Sequence, residues 1–140
     1  MITNVAFQVP GEPQGKGRAR VGRIAGHARM FTPAKTVAYE GLIAHAAATA
    51  MGGHPPISGA CMVDVCASIS VPASWSKRKR EDALAGKIRP TKKPDGDNIL
   101  KAVCDGMNGV VFRDDSQAVH CIVRKAYQLT PGLSVIVAVL

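Results

Sequence analysis

From Cys61 to Val71 the chain alternates: Cys61, Val63, Val65, Ala67, Ile69 and Val71 are apolar, and the positions between them include Asp64, Ser68 and Ser70. A period of two sustained over this stretch predicts a strand with one buried face, ended by Pro72. A first strand is expected over Ile2–Val9, closed by Pro10 and Gly11. Residues 118–129 and 133–140 read as two longer strands joined by the turn "TPG", and "VVF" at 110–112 as a short one.

The helical signals are of a different kind. Thr32 and Pro33 form a helix start, with a capping hydroxyl and a proline at the first helical position, and the alanine-rich run after them should last to Met51, where Gly52 and Gly53 stop it. A short basic helix follows Ser74 or Ser76 and stops at Gly86. A third helix is expected from Asp97 or Asn98 to about Asn108, with Gly109 as its stop; its stripe of Ile99, Val103 and Met107 should face the core. Between the first strand and the first helix, "GEPQGKGRARVGRIAGHARMF" lacks apolar periodicity and reads as a long loop or flexible hairpin. Together these elements predict an α/β fold, a single domain over 1–140 with a mixed β-sheet packed by helices.

Composition narrows the class. With 140 residues, 46% of them hydrophobic and 20% charged, the chain suits one globular domain. No apolar run approaches the roughly 20 residues of a membrane span, and no signal-peptide pattern is visible, so no membrane association and a cytoplasmic setting are expected. Cys61, Cys66, Cys104 and Cys121 form no CxxC pair and sit among apolar neighbours, as buried free thiols do. The four histidines are scattered, so zinc chemistry is not expected.

Charge changes the picture more. The net charge is +8, and fourteen of the eighteen basic residues lie in two segments. Lys16, Arg18, Arg20, Arg23, Arg29 and Lys35 fall in one acid-free stretch between Glu12 and Glu40. Lys77, Arg78, Lys79, Arg80, Lys87, Arg89, Lys92 and Lys93 form the other. Such clustering points to a polyanionic partner, and Gly with Arg suits close approach of backbone and guanidinium forks to phosphates. Of the isolated aromatics Phe31, Trp75 and Phe112, Phe31 is best placed to wedge into opened DNA, because it ends the basic loop.

Against this basic background, Asp95, Asp97, Asp105, Asp114 and Asp115 gather half of the ten acids in one short stretch. Asp97, Lys101 and Asp105 are spaced to share one helix face, opposite the apolar stripe. The "VVF" strand could return Asp114 and Asp115 beside the helix start. Converging carboxylates suit a hard cation, and Mg²⁺ is usually held by a few carboxylates with waters and phosphate oxygens. Each feature also has a plainer reading: an aspartate at a helix start is often only a cap, and Lys101 with Asp105 is often only an ion pair. A calcium-binding loop is excluded, since its later ligand and glycine positions would fall on Ile99, Leu100 and Gly106.

The stretch "KPDGDNILKAVCDGMNGVVFRDDSQAV" closely resembles the signature of the RusA family of Holliday junction resolvases. That signature has a [RK]PDxDN-x-x-K segment, a D-x-[LM]-N turn and a DD[SAE]Q segment at this distance. The upstream "GKGRARVG…ARMFTPAKTVAYE" resembles the family's Arg-rich region and following helix. The resemblance implies a homodimeric, Mg²⁺-dependent endonuclease that nicks a four-way DNA junction symmetrically, in DNA recombination and repair. It implies Asp95, Asp97 and Asp115 as metal-binding catalytic residues and Lys101 as the essential lysine, with Asp105 supporting and Asp114 the less critical of its pair. Lys16, Arg18, Arg20, Arg23, Arg29 and Lys93 are the expected DNA contacts. Ala19 departs from the family, in which many members have proline, and segment 77–93 does not align with it. A junction's two-fold symmetry calls for a symmetric dimer, for which Tyr39 and Leu42 are interface candidates. Two other readings compete: a non-catalytic branched-DNA-binding module, and a Mg²⁺-using nucleotide enzyme. The latter lacks a phosphate-cradling loop in βαβ context.

Overall fold

The computed structural model describes residues 2–17 and 20–140. Arg18, an expected DNA contact, and Ala19 lie outside the described residues. The elements in chain order are β1 (Asn4–Pro10), β2 (Arg20–Ile24), β3 (His27–Phe31), α1 (Ala34–Met51), β4 (Cys61–Ser70), α2 (Lys77–Leu84), α3 (Gly96–Met107), β5 (Ala118–Gln128) and β6 (Gly132–Val139), with a 3₁₀ turn at Asp115–Gln117. Four strands make a sheet in the order β1-β6-β4-β5. β4 runs parallel to β5 and antiparallel to β6, and β1 is antiparallel to β6, so the sheet is mixed, as the sequence predicts.

The alternation along β4 places Cys61, Val63, Val65 and Ala67 in the core, under α1 and α3. Ile99, Val103 and Met107 of α3 are fully buried there, as their spacing predicts. The two helices cross closely at Gly106. A Cβ at that position would stand 2.7 Å from Ile43 Cγ2 and 3.0 Å from the Glu40 carbonyl oxygen, so only glycine fits without displacement.

Four expectations need correction. First, β5 and β6 are consecutive but not neighbours, because β4 lies between them. The link Leu129–Pro131 is long enough for this: three residues reach about 10 Å, roughly two inter-strand spacings. Second, "VVF" is not a strand. Val111 and Phe112 plug the core in a tight turn, where the Ile57 amide donates to the Val111 carbonyl at 2.7 Å and the Gly109 amide to the Phe112 carbonyl at 2.8 Å. Third, Pro33 rather than Thr32 occupies the N-cap of α1, its carbonyl accepting the amides of Thr36 and Val37. Fourth, Asp95 occupies the N-cap of α3, which puts Asp97 inside the first turn.

The Gly- and Arg-rich segment forms the β2–β3 hairpin. Its two-residue turn, Ala25–Gly26, has positive φ at both positions (53° and 81°), the type I′ geometry that matches strand twist. The strand before it is reached through Gly15-Lys16-Gly17, which lies flat against both helices. A Cβ on Gly15 would meet the Asn98 Cβ at 3.0 Å, and one on Gly17 the Thr36 hydroxyl at 2.5 Å. These glycines serve close backbone approach to protein, not a phosphate cradle.

Candidate active site

A pocket lined by ionisable groups lies where β5 begins. Asp97, Leu100, Lys101 and Cys104 of α3 form one wall, and Asp115, Ala118 and Cys121 the other, around about 210 Å³. A larger cavity of about 320 Å³, at the opposite end of the sheet beside Pro10 and Leu133, has no ionisable lining. Successive turns of α3 project Asp97, Lys101 and Asp105 on one face, because Ile99, Val103 and Met107 hold the other in the core.

Two lysines meet at Asp105. The Lys101 ammonium is 3.2 Å from Asp105 Oδ1, and that of Lys16 is 3.0 Å from Asp105 Oδ2. Lys16 also pairs with Glu40 of α1, and its amide donates to the Asn98 carbonyl at 2.9 Å. Burial opposes charge on Lys16, but hydrogen bonds and the fields of Asp105 and Glu40 outweigh it, so its pKa is raised. The hydrogen bond and charge of Asp105 raise that of Lys101, with a smaller contribution from Asp115, 3.9 Å away. Lys101 therefore keeps its charge at neutral pH and points between Asp105 and Asp115.

The carboxylates after the core turn divide their roles. Asp114 accepts the Ser116 amide at 2.9 Å and caps the 3₁₀ turn; hydrogen bonding from Ser116, its side chain first and then its amide, holds the carboxyl below the usual range. Asp115, next along, is free to line the pocket. Gln117 clasps the whole loop. Its Oε1 accepts the amides of Arg113 and Asp114 at 2.9 and 3.1 Å, and its Nε2 donates to the carbonyls of Ile57 and Gly59 at 2.7 and 2.9 Å. Both lone pairs and both protons of that amide are used, so Gln117 positions Asp115 rather than touching a ligand. The spacing D-x-x-Q from Asp114 to Gln117 is a capping-box signal that the sequence reading passed over.

The family model for "Endodeoxyribonuclease RusA" matches residues 10–138. The chain belongs to the RusA endodeoxyribonuclease family. Among its relatives is "Uncharacterized protein YqaN" of Bacillus subtilis (strain 168), 37% identical over 138 residues that cover 95% of this chain and 94% of the relative.

In this RusA-family nuclease the fold brings Asp97, Lys101 and Asp115 to one pocket, whereas Asp95, at the exposed N-cap of α3, is not part of its lining. Among the described residues, no three His, Cys, Asp or Glu side chains stand together in metal-ligand geometry. Two facing carboxylates still fit a Mg²⁺ ion, which takes much of its shell from water and phosphate oxygens. The donor chemistry agrees. The Asp95 carboxylate makes no capping hydrogen bond. The thiols beside the carboxylates are neutral when no metal is bound: burial pushes Cys104 up to about 12 and raises Cys121 too.

The expected DNA contacts fall into three groups. Arg20, Arg23 and Arg29 lie on the hairpin strands β2 and β3. Lys93 is exposed just before the aspartate motif. Lys16 differs from both, because its ammonium is held between Glu40 and Asp105, and so it fastens the basic loop to the active-site helix instead of standing free for phosphate. Of the aromatics, Phe112 is fully buried and Trp75 packs edge-on against Tyr127, so neither is poised as a wedge. Tyr39 is core, 3% exposed, and cannot be an interface residue, while Leu42 is 56% exposed. No helix among the described residues is long and apolar enough to cross a membrane.

Proposed function

We propose that the chain is a Mg²⁺-dependent, structure-specific endodeoxyribonuclease that resolves four-way DNA junctions by paired symmetric nicks, in recombination and repair. The observation that carries this reading is the pocket in which Asp97 and Asp115 face each other beside Lys101, within a chain of the RusA family. Asp97 and Asp115 would hold the ion, and Asp95, at the N-cap of the same helix, is the third carboxylate of the proposed set. Bound there, Mg²⁺ supplies a Lewis acid for the scissile phosphate and lowers the pKa of an attacking water. Lys101, kept charged and aimed by Asp105, neutralises charge on the phosphate as it builds up. Gln117 holds the Asp115 loop to the segment before β4. The arginines of the β2–β3 hairpin and Lys93 supply sequence-independent attraction to the backbone.

Paired nicks require two such sites related by two-fold symmetry, and hence a homodimer. The sheet leaves its face away from the helices uncovered, with Ile136 45% exposed on it, and this surface and Leu42 are among the exposed apolar groups that could meet a second copy.

The test is to map cleavage of a synthetic four-way junction and of a linear duplex with the same arm sequences, with and without Mg²⁺. The reading predicts nicks at symmetric positions on two strands of the junction, dependent on Mg²⁺, and an intact duplex. Junction binding without cleavage in any divalent metal would instead make this a branched-DNA-binding module.

A further inference from the structure

Segment 77–93 holds eight basic residues against two acids, Glu81 and Asp82. Among the described residues only one of those cations meets a carboxylate, Lys87 with Asp82 at 4.0 Å. A run of lysines is often just a solvated face. Here, however, the charge order works against helix stability, since Lys77 and Arg78 open α2, where the macrodipole favours acids. The fold also fixes the segment in place. The Ser76 hydroxyl accepts the Lys79 amide at 3.2 Å, and the Lys79 ammonium sits 4.1 Å above the Trp75 ring. Arg80 donates to the Pro72 carbonyl at 3.4 Å. Trp75 in turn meets Tyr127 of β5 edge-on, ring centres 5.3 Å apart.

That anchor ties the basic surface to the active site through a single strand. Cys121, Val123, Lys125 and Tyr127 project from the same side of β5. Cys121 lines the pocket with Asp97. Val123 lies against Gly96, 3.6 Å from where a Cβ would be. The Lys125 ammonium donates to the Lys92 carbonyl at 2.8 Å, and Tyr127 holds Trp75. The chain from α2 to Asp97 therefore retraces β5 towards the pocket, with exposed Lys92 and Lys93 along the way. From Cys121 to Tyr127 the strand covers about 20 Å, equal to about six nucleotides of a duplex strand.

We propose that segment 77–93 is a second DNA-binding surface, distinct from the catalytic pocket and from the arginine hairpin, that grips the backbone of a duplex arm about six base pairs from the cut phosphate. The distance rests on the nuclease reading, which places the cut at the pocket; the surface itself does not. Its function is to measure arm length: a branch with short arms reaches the pocket but not α2.

The test measures binding by fluorescence anisotropy, without divalent metal so that nothing is cut, on four-way junctions whose arms lengthen from about 4 to about 15 base pairs. Wild type is compared with the triple variant Lys77→Gln, Arg78→Gln, Lys87→Gln, whose fold is checked by circular dichroism and melting temperature. Wild-type affinity should rise once arms pass about six base pairs, and the variant should lose that rise. Its slope of log affinity against log salt on long arms should fall by about 2 to 3, near 0.9 for each phosphate contact removed. A folded variant that keeps the wild-type arm-length dependence and salt slope would overturn the proposal. Nicking by wild type is scored separately with Mg²⁺. An arm-length effect lost in the variant, alongside absent wild-type nicking, would uphold the surface and refute the nuclease reading.

Discussion

Gln117 spends its side chain on four main-chain groups that lie nearly sixty residues apart in sequence, and so holds the loop of Asp115 to the segment before β4. Replacing it with alanine leaves those groups short of partners. Gln117→Ala should cost about 1–3 kcal/mol, read as a lower urea midpoint, and should lower nicking further than the lost folded fraction explains. Lys16 is the other residue whose role the sequence did not reveal. Its position in an Arg-rich run suggests a phosphate contact, whereas its partners Glu40 and Asp105 come from two helices that meet only in the fold. Both Lys16 and Lys101 have raised pKa values. Their stabilising effect is therefore complete below the ordinary lysine value of about 10.4 and is lost as pH rises through the raised one. Melting temperature should fall above that pH, and Lys16→Met should shrink the fall. Cys121, exposed at the pocket edge, gives a chemical handle. Maleimide should label it ahead of buried Cys61 and Cys104 and suppress nicking, and Cys121→Ala should abolish that sensitivity.

At the scale of elements, periodicity carried the most information. The alternation of Cys61–Ala67 and the stripe Ile99–Val103–Met107 each named a buried face correctly, because a strand or helix with one wet side must repeat at its own period. Pairing order was not legible: β5 and β6 read like a hairpin, but nothing in their own residues reports that β4 lies between them. "VVF" failed for a related reason, since a short apolar run suits a core plug as well as a strand. Where α1 meets α3, Gly106→Ala should overpack against Ile43 and cost about 1–3 kcal/mol, measured by denaturant titration. In the β2–β3 turn the reverse is expected. Ala25 has φ 53°, so Ala25→Gly should relieve about 1 kcal/mol of left-handed strain and slow amide exchange in the hairpin.

Across the whole molecule, charge follows architecture. The five aspartates that the sequence gathers are sorted by the fold into two pocket carboxylates, a lysine anchor and two N-caps. Many of the cations lie on the β2–β3 hairpin and in the segment from α2 to α3 that runs along β5. The family was legible from the aspartate motif, because its spacing is set by one helix face and one returning loop. Asp95 sits at the helix cap, outside the pocket lining that Asp97 and Asp115 share. We propose that this pocket pair, loaded with Mg²⁺, cuts DNA. The most direct test is cleavage and binding of one four-way junction by wild type and Asp97→Asn in the same Mg²⁺ buffer. The account predicts that the variant binds the junction as well as wild type or better while nicking falls by at least about 100-fold. Wild-type rates of nicking by a folded Asp97→Asn protein would contradict it.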